Sequence, residues 1–144
     1  MNIFRGSAIP LRPADTKSFV GPAQSKLLAS SDDGASVHVY LVEFHECGRT
    51  NWHTHSGPQW LFIVEGRVRV QKSGEAAQEV EAGDAVVIAP GEKHWHGAAP
   101  GARGAHLAVN VNVKTDWLEQ VTADQYDAQM QGAARQDEAR SPLR

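Results

Sequence analysis

Four of the seven histidines in this chain lie in two short segments, His53-Thr-His55-Ser-Gly-Pro-Gln59 and Pro90-Gly-Glu-Lys-His94-Trp-His96. Imidazoles at i and i+2 point to the same face of a β-strand, because side-chain direction alternates with period two. The Gly57-Pro58 turn returns Gln59 on the neighbouring strand, and His94 can arrive from a distant hairpin. Three neutral imidazoles and one amide oxygen suit a borderline divalent transition metal: manganese, iron, cobalt, nickel or zinc. A lone His-x-His pair fits two surface histidines on an edge strand just as well. The two further donors, each beside a turn glycine, favour a metal site of His53, His55, Gln59 and His94.

Other residues arrange themselves around that set. His96 faces the same way as His94 and belongs to the lining, as a hydrogen-bonded interior imidazole or as a chemical group. Trp52, Trp60 and Trp95 adjoin the candidate donors, so they face away and are expected to pack on a second sheet or a partner subunit. Along residues 105–113, His106, Ala108, Asn110 and Asn112 share one face, with Leu107, Val109, Val111 and Val113 on the other. The same parity separates His38, Tyr40, Val42 and Phe44 from Val37, Val39, Leu41 and Glu43. Parity alone leaves open which face is inside. Cys47 reads as a small buried hydrophobe, His45 and Glu46 as solvated, and the alternating pair Arg67 and Arg69 as a solvent face.

The elements that must position these groups are short strands. Runs at Val37–Phe44, Thr50–His55, Gln59–Val64, Arg67–Lys72, Ala77–Val80, Ala85–Ala89, His94–Ala98 and Ala105–Val113 are cut at regular spacing by glycine, proline and aspartate turns, the mark of an all-β sandwich or barrel. Residues 1–30 read as an N-terminal arm with strands near Ser18–Val20 and Lys26–Ala29, and 31–114 as the barrel. Residues 115–130 read as short C-terminal helices. The first is a helical turn over Asp116–Val121; the second opens at the capping box Thr122-Ala-Asp-Gln125. Residues 131–144 form a polar tail with hardly any apolar face.

Composition excludes several classes. A chain of 144 residues with 41% hydrophobic and 22% charged residues is one ordinary globular domain. A net charge of −3 without a basic stripe argues against nucleic acid. The single cysteine rules out an intramolecular disulfide framework. No apolar run suits a signal peptide or a membrane span, so a soluble, cytoplasmic protein is expected.

The motif residues resemble those of cupins, whose first motif reads Gly-x5-His-x-His-x3/4-Glu-x6-Gly and whose second reads Gly-x5-Pro-x-Gly-x2-His-x3-Asn. His53, His55 and Gly66 fit the first, with Gln59 at the glutamate position and Gly48 one residue closer than the pattern. Gly83, Gly91 and His94 fit the second, with Ala89 for its proline and Ala98 for its asparagine. The resemblance covers roughly residues 36–126 and implies a double-sheet jelly-roll barrel. Over about residues 48–126 the chain is similar to the bacterial manganese-dependent cupin hydroxynitrile lyases of the (R)-mandelonitrile lyase type. The segments that carry this are Gly48-Arg-Thr-Asn-Trp-His-Thr-His55, Pro90-Gly-Glu-Lys-His-Trp-His-Gly-Ala-Ala-Pro100, His106-Leu-Ala and Asp116-Trp-Leu-Glu-Gln-Val-Thr-Ala-Asp-Gln-Tyr126. That likeness implies His53, His55, Gln59 and His94 as metal ligands, Mn(II) first among the metals, and His106 as the acid/base. Two positions depart from those lyases: Asn110 stands where they have glutamine, and Tyr40 where they have a small residue.

A neutral glutamine leaves the full divalent charge on the site, which favours Lewis-acid over oxygen chemistry. The expected function is therefore a metal-dependent carbon–carbon lyase acting on a small cyanohydrin-like substrate. His106 takes the hydroxyl proton, while His96 and Asn110 bond the nitrile and Tyr40 narrows the pocket. Two alternatives stand beside it: an iron-dependent dioxygenase of small phenols or diketones, and a cupin that binds a small molecule without turning it over. An outer sheet face rich in Val, Leu and Trp leads us to expect a homodimer or homotetramer.

Overall fold

The computed structural model describes residues 1–128. The alternating runs form strands β1 (Arg12–Pro13), β2 (Phe19–Val20), β3 (Ala23–Ser31), β4 (Val37–Phe44), β5 (Arg49–Thr50), β6 (His53–His55) and β7 (Gln59–Lys72). They continue as β8 (Gln78–Glu81), β9 (Ala85–Ile88), β10 (His94–Ala98), β11 (Gly104–Val111) and β12 (Thr115–Trp117), followed by one short helix, α1 (Ala123–Asp127). All strand pairings are antiparallel. One sheet runs β1-β3-β4-β11-β7-β9; the second joins β8, β7, β10, β5 and β2, with β6 and β12 extending it beside β10. This is an all-β, double-sheet jelly roll. Strands in the first thirty residues belong to it, β2 to one sheet and β3 to the other.

Strand β7 links the layers. The sequence reading places a turn at Glu65-Gly66 between two strands, but the chain runs through as one strand that changes sheet. Gln59–Glu65 pair with β11, and Val68–Lys72 pair with β10. The crossing requires glycine: Gly66 has φ +63°, and a Cβ there would lie 2.0 Å from the Arg103 carbonyl oxygen.

Burial settles the parity question. Val42, Phe44, His106 and Ala108 are buried between the sheets, while Val111 on the opposite face is exposed. The polar face of β11 therefore looks into the barrel. Leu61, Ile63, Val68, Ile88 and Ala108 form one end of the interior, and Ala23, Val42, Phe44 and Ala98 the other.

The outer face of the second sheet has its own cover. Trp52 and Trp95 pack with Val121 and Tyr126, so the C-terminal segment takes the place of the second sheet or partner expected for these two. Arg69, read from sequence as solvated, is buried beneath it and donates to the carbonyls of Tyr126 and Ala128. The expected helical turn over Asp116–Val121 is also corrected. Thr115–Trp117 pair with β6 as a strand, the Leu118 amide donates to the Trp52 carbonyl, and the Trp52 amide donates to the Glu119 carbonyl. These bonds to a distant residue outweigh local helical preference. The capping box forms as expected: the Thr122 hydroxyl accepts from the Gln125 amide, and the Gln125 side chain accepts from the Thr122 amide. Cys47 is exposed at φ +58° rather than buried. The expected tail, 131–144, lies outside the described residues. Among the described residues no helix is long and apolar enough to cross a membrane.

Candidate metal centre and active site

Strands β6, β7, β10 and β11 bring the candidate residues to one point inside the barrel. His53 sits directly opposite His94 in the β6–β10 register, and Gln59 directly opposite Asn110 in the β7–β11 register. The rings of His53, His55 and His94 form a tight triangle, with centroids 5.0, 4.2 and 5.4 Å apart. Donor atoms of His53, His94 and His96 lie within 4.8 Å of one another, a group able to hold a metal ion. His55 stands beside that group, and His106 reaches it through His96, with His106 Nε2 and His96 Nδ1 2.9 Å apart.

The outer nitrogens are tied down. His53 Nδ1 lies 2.8 Å from the Asn51 carbonyl and His94 Nδ1 2.8 Å from the Glu92 carbonyl. A carbonyl can only accept, so both rings carry their proton on Nδ1 and turn a bare Nε2 inward. His55 Nδ1 is held 2.8 Å from the Thr115 hydroxyl, and its buried Nε2 has no hydrogen-bond partner. Outer partners that fix ring orientation in this way are a usual support of metal-binding histidines.

Gln59 sharpens the case for a cation. Its Nε2 donates to Asn110 Oδ1 at 3.0 Å, which leaves Oε1 on the side of His94, 3.4 Å from Nε2. Two acceptors thus face each other in a buried space, an arrangement that costs free energy unless something electropositive lies between them. Burial, reinforced by neighbouring imidazoles, pushes the His53 pKa down to about 2 and that of His94 to about 4. Burial lowers those of His55 and His96 too, and takes His106 down to about 4. The rings are neutral near pH 7, the state in which imidazole binds metal. The residues present therefore fit a divalent ion.

A cavity of about 300 Å³ opens over the cluster, lined by His53, His55, Gln59, His96, His106 and Asn110, with Tyr40 and Ala108 on its wall. Among the described residues no lysine or arginine lines it. A wider groove of about 910 Å³ runs past β8 and β9 and touches only His94 of these imidazoles. Its lining combines carboxylates, Lys72 and Trp95 with aliphatic side chains, and Lys72 is paired with Glu75 and Glu92, so the smaller cavity, where the imidazoles converge, is the candidate site.

Several lining residues escaped the sequence reading. Thr115 holds His55, and Trp117 packs on His53 with ring centroids 4.5 Å apart. Both lie in the segment read partly as helix. Alternation of Thr115 and Trp117 about Asp116 was the available signal, and the pairing with β6 gives it meaning. Asp15, Ser18, Phe19 and Ser25 come from the first thirty residues and line the mouth; no local pattern ties them to the histidines.

A jelly roll whose interior carries clustered histidines at these spacings defines a cupin, and the cupin domain family matches residues 40–111. The chain belongs to the cupin family. It is 41% identical over 117 residues to an (R)-mandelonitrile lyase of Granulicella tundricola, covering 79% of this chain and 88% of that protein. Among solved structures it is similar to a cupin-like protein from Thermotoga maritima, with TM-score 0.78 and 33% identity over 83% of this chain and 93% of that one. A polyketide cyclase from Streptomyces resistomycificus shares the fold, with TM-score 0.63 and 20% identity over 88% of this chain and 91% of the other.

Proposed function

We propose that the protein is a divalent-metal lyase that cleaves small cyanohydrins into an aldehyde or ketone and hydrogen cyanide. The observation that carries this reading is a set of inward-facing, neutral donors directly beside a buried imidazole pair. His53, His55, Gln59 and His94 are the proposed ligands, and Mn(II) is the proposed metal, in keeping with the resemblance to the manganese-dependent cupin lyases. A divalent ion held there supplies Lewis-acid polarisation of a substrate hydroxyl.

The chain's own groups do the rest. His106 is neutral near pH 7 and hydrogen-bonded to His96, so it can accept the hydroxyl proton as the C–C bond breaks and return it to the departing cyanide. His96 keeps the His106 ring in place. Asn110 and Tyr40 line the space left for the carbonyl and nitrile ends. Among the described residues no lysine or arginine lines the cavity, so a bound ion would be its one source of positive charge for the substrate oxygen. A neutral ligand set also stabilises the lower metal valence, which weighs against the dioxygenase alternative.

The test is release of benzaldehyde from racemic mandelonitrile by Mn(II)-loaded protein, above the spontaneous rate at mildly acidic pH. Release that disappears in His53→Ala is the expected result. Absence of release from protein with metal confirmed bound overturns the lyase reading and favours a binding cupin.

A further inference from the structure

The two amides at the cavity wall are not interchangeable in orientation. We infer that Asn110 is a positioning residue that holds the Gln59 amide in the orientation a metal needs, and that in this paired state its own amide nitrogen is offered to the cavity as a hydrogen-bond donor. The inference rests on the reading of Gln59 as a metal ligand.

The reasoning follows from the donor inventory. A primary amide has one accepting end and one donating end. A metal needs the Gln59 oxygen turned inward; with the amide reversed, two N–H groups would face the ion and the bare Nε2 atoms. Gln59 and Asn110 are directly opposite on antiparallel strands, so their side chains share the inner face. Gln59 Nε2 donates to Asn110 Oδ1 at 3.0 Å, and reversing Gln59 alone would set two oxygens against each other, so the two amides are coupled. The pair therefore has two matched states, and an ion that takes the Gln59 oxygen would select the one in which Asn110 Oδ1 accepts and holds Gln59 in place.

The consequence passes one step further. With one lone pair of its oxygen engaged by Gln59, Asn110 still offers the cavity it lines its Nδ2–H donors. A donor at this wall suits a carbonyl oxygen or nitrile nitrogen of a bound molecule.

Three variants separate this role from a simple cross-strand tie. Asn110→Asp keeps an acceptor for Gln59 Nε2 but has no donor for the cavity. Asn110→Leu removes both, and Gln59→Ala removes the ligand itself. Mn(II) affinity is read by titration of the metal-free protein with electron paramagnetic resonance of the free ion, alongside the metal-free melting temperature. Wild type and Asn110→Asp are expected to bind Mn(II) comparably. Asn110→Leu is expected to bind about 10- to 100-fold more weakly, with a metal-free melting temperature close to that of Asn110→Asp. Asn110→Asp, with Mn(II) bound, is expected to bind benzaldehyde at least about tenfold more weakly than wild type, because a carboxylate replaces the donor. Equal Mn(II) affinity in wild type and Asn110→Leu, with Gln59→Ala weakened, overturns the positioning role alone. Undiminished benzaldehyde binding in Asn110→Asp overturns the donor assignment. Unchanged affinity in Gln59→Ala overturns the ligand reading, and the inference with it.

Discussion

As a proposed ligand, Gln59 would set the electrostatics of a metal bound at the centre. A glutamate there would cancel one unit of the ion's charge, whereas the amide leaves it whole among neutral imidazoles. In a buried site the interaction between charges a few ångströms apart is several times its value in water. Gln59→Glu is therefore expected to tighten Mn(II) binding by about tenfold or more and to slow mandelonitrile cleavage, because a partly neutralised ion polarises a hydroxyl less. Titration of the metal and steady-state kinetics on the same preparation check both halves. Tighter binding with undiminished turnover would remove the charge argument. His106 tests the proton-transfer half of the mechanism. It is buried, contacts His96 and lies outside the proposed ligand set. His106→Ala is expected to lose about 100-fold or more in kcat with a full complement of metal, the scale of a lost general base. Near-normal turnover would sink that role.

Among the elements, the C-terminal segment matters most, because it seals the second sheet behind the ligands. Tyr126 is buried against Trp95, its hydroxyl donates to the Ala98 carbonyl on β10, and the Arg49 guanidinium lies over its ring. Tyr126→Phe is expected to cost about 1 kcal/mol by leaving that carbonyl unpaired, read as a lower urea midpoint at unchanged slope. Burial also raises the Tyr126 pKa to about 12. A raised folded pKa means that the folded state holds its proton more tightly. That stability is present below the unfolded value near pH 10 and fades as pH rises through about 12. The alkaline loss is expected to be shallower in Tyr126→Phe. The same segment marks the limit of what the sequence reveals. Val37–Phe44 and His94–Ala98 could be read to the residue because alternation and turn glycines are local signals. The candidate donors were legible for the same reason, through spacing on a strand. Residues 116–121 and Arg69 were not, since long-range partners decide their state: backbone bonds to Trp52 in one case, the carbonyls of Tyr126 and Ala128 in the other. Gly66 lies between these cases. Its turn signal is real, but the chain spends it on a change of sheet rather than a hairpin.

At the scale of the molecule, no described residue covers the outer face of the first sheet as the C-terminal segment covers the second. Trp60, Phe62, Val64, Val87 and Val111 are between 36 and 54% exposed. They are contiguous, because Val87 pairs with Trp60 across β9–β7 while Leu107 and Val109 pair with Phe62 and Trp60 across β11–β7. Near the chain start, Ile3 and Phe4 are 65 and 45% exposed. Lys26, opposite Leu41 on this same outer face, donates to the Gly6 and Ile9 carbonyls, so the first residues leave from the side of the patch. Face and arm together present a continuous run of exposed apolar side chains, the kind of surface that a partner covers. We propose that a second copy of this chain occupies the face in a two-fold dimer, each arm lying on the partner's sheet. A symmetric pairing of this kind closes on itself and leaves no open apolar edge for further growth. Light scattering at micromolar concentration is expected to give a dimer. Trp60→Lys is expected to give a folded monomer, and removal of residues 1–5 to weaken the dimer without unfolding the barrel. A wild-type monomer overturns the proposal. A dimer indifferent to Trp60→Lys would place the interface elsewhere.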